Sequence, residues 1–281
     1  MADLLVTSPA NPRVKAVLAL RRRRERDATG LTLVEGYEEL SLALDAAAVP
    51  RTLLTCPELY SAAGRAGSQD IGHQERLVAA ARDAGAQVLR LGRAAFERVA
   101  YREGPDGLLG VLPLPRRSLQ DLDPPDDALV LVAQAVEKPG NLGALLRTAD
   151  AAGAHAVIAA DPVTDWGNPN VVRASKGTVF ALPVATATGR DTVAWCRRHG
   201  LRIVVTTPVA VRRHTEADLT AAVALVVGSE KHGVDEALST AADTQIGIAM
   251  CGKVNSLNVS VAAAVVLYEA RRQRASKRLH D

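Results

Sequence analysis

The chain has 281 residues, room for two domains of ordinary size. Its 48% hydrophobic and 23% charged residues exclude wholesale disorder. Aromatics are 3%, so the core must rest on Ala, Val and Leu, and a nucleic-acid platform built from rows of stacked aromatics is excluded. The net charge is only +3, but basic residues cluster. Arg13, Lys15, Arg21, Arg22, Arg23, Arg24 and Arg26 stand in one short stretch with one acid, Glu25. Arg271, Arg272, Arg274, Lys277 and Arg278 gather near the other end. Such clusters read as phosphate-binding surfaces or as solvated helix faces, and charge alone does not choose.

No apolar run approaches the roughly 18 residues of a membrane span, and Met1-Ala2-Asp3-Leu4 lacks the basic start of a secretion signal. Three scattered cysteines (Cys56, Cys196, Cys251) suit a reducing compartment and no zinc module. The six histidines show no paired ligand spacing. These features predict a cytoplasmic protein without membrane or metal partners.

In chain order, residues 13–26 suit one basic helix. Strands are predicted at 31–34, 52–54, 87–90 and 107–112, with helices at 37–46, 74–83 and 94–100 between them. Such alternation implies βαβ units. Residues 113–127 hold four prolines among aspartates and read as a linker. The expected organisation is therefore a small α/β domain over 1–112, the linker 113–127, and a second domain over 128–281.

In that second domain, apolar runs without alternation at 129–132, 156–159, 203–205, 223–227 and 246–248 predict strands buried on both faces. A weaker strand is predicted at 181–184. Helices are predicted at 143–152, 170–176, 191–199, 234–240 and 256–274. The expected fold is α/β, a mostly parallel sheet with helices on both faces.

Three loops follow predicted strands, where open α/β sheets bind ligands. The first, Glu137-Lys138-Pro139-Gly140-Asn141-Leu142-Gly143, opens a helix that carries Arg147. It reads as a tight turn or as an anion-facing helix start. No G-x-G-x-x-G and no Walker loop occurs, which removes the main support for a nicotinamide enzyme or a P-loop enzyme. The second, Gly228-Ser229-Glu230-Lys231-His232-Gly233, reads as a charged turn or as a source of a general acid or base. The third runs from Met250 to Ser260 and packs Gly252, Asn255, Ser256, Asn258 and Ser260 ahead of an apolar helix. Ser256 or Asn258 suits an N-cap, and the remaining polar residues exceed what one cap needs.

The three loops together, in this order, resemble the SpoU (TrmH-like) family of RNA ribose 2′-O-methyltransferases. The likeness runs from Glu137–Asp150 through Leu225–Gly233 to Ile248–Met250 and Ser256–Ala262, within residues 129–275. The N-terminal third is similar, more loosely, to that family's substrate-binding domain, at Asn11-Pro12-Arg13-Val14-Lys15, the arginine run and Leu33-Val34-Glu35-Gly36. The layout is also similar to the ribosomal RNA methyltransferases that protect antibiotic producers, the avilamycin- and thiostrepton-resistance enzymes.

This resemblance implies a deep C-terminal trefoil knot, a homodimer, and S-adenosylmethionine held by Thr206, Thr207, Gly228, Ile248, Met250 and Leu257. It implies Asn141, Arg147, Glu230, Ser256 and Asn258 as the catalytic set, and no metal. The basic run from Arg13 to Arg26 becomes an RNA-binding surface, and the implied reaction is 2′-O-methylation of ribosomal RNA, 23S first. The alternatives are a transfer-RNA methyltransferase of the same family and a non-catalytic RNA-binding protein on the same scaffold.

Overall fold

The computed structural model describes residues 4–63, 71–115, 117–229 and 231–278. The chain separates into two compact units. One comprises residues 1–115 with 166–181, the other 116–165 with 182–281.

The first unit begins with β1 (Leu4–Val6), α1 (Pro12–Ala19) and α2 (Arg23–Thr29), followed by β2 (Leu31–Glu35), α3 (Tyr37–Asp45) and β3 (Thr52–Thr55). It continues through α4 (Ile71–Asp83), β4 (Gln87–Leu91), α5 (Arg93–Val99) and β5 (Leu108–Pro113). The sheet order is β1-β4-β3-β5-β2. β1, β4 and β3 run parallel, while β5 is antiparallel to both β3 and β2.

The single basic helix expected over 13–26 is two helices. The backbone of Arg22 is extended (φ −89°, ψ 134°), which breaks the helix between α1 and α2. The break is held by Arg26, which is 1% exposed and donates from Nη1 to the carbonyls of Leu20 and Arg21. A buried guanidinium filled by backbone carbonyls is a fastener for a corner.

Burial also gathers acids in this unit. Glu35, Glu39 and Asp106 are all buried. Glu35 Oε2 accepts from the amides of Tyr101 and Arg102, and Asp106 accepts from the amides of Tyr37 and Leu108. Asp106 is the backbone-turn acceptor here, whereas Glu35 loses more hydration than it regains. Desolvation therefore lifts the Glu35 carboxyl to about 7.

The second unit opens with β6 (Leu129–Gln134), α6 (Pro139–Ala151) and β7 (Ala156–Ala160). Residues 166–181 then fold into the first unit as α7 (Pro169–Ala174) and α8 (Thr178–Ala181). α7 packs on β2 and α8 on α3. Thr32 Oγ1 donates to the Gly167 carbonyl, and Lys176 Nζ meets Glu38 Oε2 at 2.7 Å. Gly177 has φ +82°, and a Cβ there would stand 2.8 Å from the Glu39 carbonyl, so this close approach requires glycine.

The second unit resumes with β8 (Val184–Ala187), α9 (Gly189–Arg198), β9 (Arg202–Thr206) and β10 (Val223–Val227). It ends with α10 (Glu236–Thr240), β11 (Thr244–Ile246) and α11 (Val259–Arg278). The sheet order is β11-β9-β10-β6-β7-β8, and every neighbouring pair is parallel. All six residues of β6 are buried, as a run without alternation predicts. Val130, Val132, Ile158 and Val226 pack with Trp195 and Cys196 of α9 and Leu238 of α10 on one face. α6 and α11 pack together against the other face.

Several boundaries differ from the sequence pattern. Pro183 closes the turn before β8, so the weak strand begins at Val184, since proline supplies no ladder donor. α6 starts at Pro139, four residues before the expected Gly143. Proline is pre-set for the first turn, and the Lys138 carbonyl accepts from the Asn141 and Leu142 amides. β11 ends at Ile246, because the Gly247 amide donates to the Arg212 carbonyl and the Gly247 carbonyl accepts from the His214 amide. Ile248 is thereby released into a loop.

Candidate active site

Three loops at the C-terminal ends of β6, β10 and β11 build one cleft. The loop after β10 is a tight hairpin in which Ser229 and Gly233 exchange backbone hydrogen bonds of 2.9 and 3.0 Å. The His232 amide also donates to Ser229 Oγ at 3.1 Å. Gly228 lies against this hairpin, and a Cβ there would fall on the Gly233 carbonyl group and the Val234 amide. Only glycine fits.

The loop after β11 ends where α11 begins. Asn258 Oδ1 accepts from the amide and hydroxyl of Ser260, the geometry of an N-cap. Its Nδ2 donates to Asn141 Oδ1 at 3.2 Å. One side chain therefore caps α11 and ties the third loop to the first. Of the two cap candidates in the sequence, Asn258 takes the position.

The six residues expected to hold a cofactor all line this cleft: Thr206, Thr207, Gly228, Ile248, Met250 and Leu257. Ser256 and Asn258 line it too. Asn141 lines a smaller adjoining cavity. Arg147 is exposed on α6 and lines neither cavity. Glu230 lies outside the described residues. The cleft is also lined by Lys138, Lys231, His232 and Asn255. They sit within the three loops of the sequence pattern, but solvated turn charges leave no local signal that separates them from a site.

The residues fit S-adenosylmethionine. The backbone at Gly228 comes close with no side chain in the way, and Ile248, Met250 and Leu257 supply apolar walls. Thr206 Oγ1 is buried without a hydrogen-bond partner in the protein, an unmet polar atom in the cleft's wall.

In the first unit, Arg13 and Lys15 on α1, Arg21 and Arg22 in the break between the helices, and Arg23 and Arg24 on α2 are exposed. Two members of the expected RNA surface have other work. Arg26 is buried in the α1–α2 corner and presents nothing to a ligand. Arg21 Nη2 donates to the carbonyls of Val99 and Ala100, at the end of α5. Arg22 and Arg23 stand 3.8 and 3.6 Å from Glu25 and Asp27 on the helix surface, contacts of little energetic weight.

Residues 128–268 match the SpoU rRNA methylase family, and residues 11–110 match the MRM3-like substrate binding domain. The chain belongs to the SpoU rRNA methylase family. It is 29% identical over 266 residues to the 23S rRNA (guanosine(2553)-2′-O)-methyltransferase RlmP of Bacillus subtilis, covering 95% of this chain and 98% of that protein. It is 31% identical over 274 residues to a 23S rRNA (uridine(2479)-2′-O)-methyltransferase of Streptomyces viridochromogenes, covering 94% and 90%. The solved structure of the SpoU methyltransferase AviRb from Streptomyces viridochromogenes with the cofactor AdoMet superimposes with a TM-score of 0.81 at 29% identity, covering 95% of this chain and all of that one.

Proposed function

We propose that this protein transfers the methyl group of S-adenosylmethionine to a ribose 2′-hydroxyl of ribosomal RNA, with 23S RNA as the substrate. The observation that carries this reading is the convergence of all three motif loops on one cleft, where Asn258 bonds Asn141. Family membership and the full-length similarity to two 23S rRNA enzymes support it.

When bound, the cofactor supplies an already activated sulfonium methyl, so the work left to the chain is to place and deprotonate a hydroxyl. Thr206, Thr207, Gly228, Ile248, Met250 and Leu257 form the cofactor site, with Ile248, Met250 and Leu257 as its apolar walls. Ser256, Asn258 and Asn141 orient the acceptor. Arg147 either holds an RNA phosphate or stabilises the developing alkoxide. Glu230 completes the set. Arg13, Lys15, Arg22, Arg23 and Arg24 supply sequence-independent attraction for the RNA backbone.

The same reading takes the protein as a cytoplasmic homodimer whose second unit carries a deep trefoil knot. For the dimer, the support within the chain is an apolar stripe on α11, where Val261 and Tyr268 are 48% and 52% exposed two helical turns apart. Among the described residues, no helix is long and apolar enough to cross a membrane. By its likeness to AviRb, the reading extends to ribosome protection against an antibiotic, which susceptibility of cells with and without the gene tests.

Calorimetry with S-adenosylmethionine, followed by transfer of labelled methyl to purified rRNA or tRNA, tests the core of the reading. The expected result is saturable cofactor binding and label in 23S RNA. Label in tRNA alone selects the transfer-RNA alternative, and binding without transfer to any RNA selects the non-catalytic one.

A further inference from the structure

Beside the cofactor cleft lies a second cavity of about 130 Å³, formed by residues that include Glu137, Lys138, Asn141 and Lys231. It is far below the roughly 300–1,000 Å³ of sites that bury a drug-sized ligand, so it suits a single small group. Lys138, Ser229, Lys231 and Val259 belong to the walls of both cavities, so a group held in the smaller one lies against the larger. Among the described residues, the charged side chains on the small cavity are two lysines, Lys138 and Lys231, and one carboxylate, Glu137. Glu137 Oε2 stands 3.6 Å from Lys231 Nζ, and Lys231 is 71% exposed, so this pair is weak and easily exchanged.

We infer that Lys138 and Lys231 form a phosphate clamp for the acceptor nucleotide, seating its backbone phosphate in the small cavity so that its ribose faces the cleft. Glu137 is the counter-charge that parks Lys231 until the phosphate displaces it. The inference rests on the methyltransferase reading above. A lysine is a flexible point charge that suits a phosphate reached over varied geometry, where a planar arginine fork is not required. Asn141 is held by its bond to Asn258, so one wall of the cavity is fixed.

The test is steady-state kinetics of the full chain with 23S RNA for Lys138→Ala, Lys231→Ala, the double variant and Glu137→Gln. Calorimetry with S-adenosylmethionine alone runs beside it and reports both fold and cofactor site. Each single alanine is expected to raise KM for RNA roughly tenfold and to reduce the slope of log affinity against log salt by about one. kcat and cofactor affinity should stay near wild type, and Lys231→Arg should restore most of the affinity. Glu137→Gln should lower KM, because Lys231 is no longer tethered. A fall in cofactor affinity would overturn the inference by making the lysines partners of the cofactor's carboxylate. An unchanged KM and salt slope would overturn it by making them solvated turn charges. If wild-type protein methylates no RNA, the methyltransferase reading itself fails, which is a distinct result.

Discussion

Glu35 and Arg26 are buried charged-type residues with opposite consequences. Glu35 Oε1 has no hydrogen-bond partner in the protein, and burial lifts its carboxyl from 4.5 to about 7. The folded state therefore holds the proton more tightly than the unfolded chain. The stability from this group is complete below the unfolded value and is lost as pH rises through about 7. Wild-type protein is expected to unfold at lower denaturant at about pH 8 than at about pH 5. Glu35→Gln, which keeps the shape and removes the titration, should flatten that difference. Chemical denaturation of both proteins at the two pH values checks it, and parallel curves would show that Glu35 does not titrate in this window. Buried Glu39 is raised in the same direction, which makes the comparison with the Gln variant necessary. Arg26 shows the converse case, a charge satisfied by carbonyls. Arg26→Ala is expected to cost about 3 kcal/mol, since charge-assisted bonds to buried groups contribute about 1.5–3 kcal/mol each. Arg24→Ala should change stability by less than about 0.5 kcal/mol while weakening RNA binding. Paired denaturation and filter-binding measurements separate the two arginines. The sequence showed seven cations within fourteen residues with nothing to distinguish them, because the break at Arg22 that turns Arg26 inward is a tertiary event.

At the scale of elements, α6 and α11 carry the site. Proline at the first turn of α6 and the Asn258 cap of α11 set where each helix begins, and the hydrogen bond between Asn258 and Asn141 couples those starting points. Arg147 sits on exposed α6 surface. Arg147→Ala is thus expected to keep fold and cofactor affinity while abolishing methyl transfer in single-turnover assays, with Arg147→Lys also poor. Near-normal turnover would relegate Arg147 to a surface arginine and move attention to Glu230. The β10 hairpin makes the complementary prediction. Gly228→Val places side-chain carbons on the Gly233 carbonyl and should abolish cofactor binding by calorimetry. Most of these elements were legible, because buried strands lack alternation and the three loops carry unusual clusters of Gly, Asn and Ser. The end of β11 was not legible. Ile248 continues the apolar run, and only the pairing of Gly247 with residues 212–214 stops the strand.

At the scale of the whole chain, the two units interleave in sequence. Residues 166–181 leave the second unit and complete the first, on β2 and α3. No local pattern announces this, since an amphipathic helix looks the same whichever core it covers. The parallel sheet, in contrast, followed from five apolar runs without alternation, most of them with a predicted helix between. A dimer also belongs to this scale. Solution scattering at micromolar concentration is expected to give twice the chain mass, and Tyr268→Arg on the exposed stripe of α11 should shift it toward the monomer. A monomeric wild type would contradict the dimer.

The cleft is proposed to methylate a ribose hydroxyl of 23S RNA. The most direct measurement is to treat unmodified 23S RNA with the protein and S-adenosylmethionine, digest it with nuclease, and map the product by mass spectrometry. The expected result is a single nucleotide heavier by one methyl group, whose 3′ phosphodiester resists alkali, absent when Gly228→Val replaces the wild type. A methyl group on a base, or no modified nucleotide with cofactor-bound wild-type protein, would contradict it.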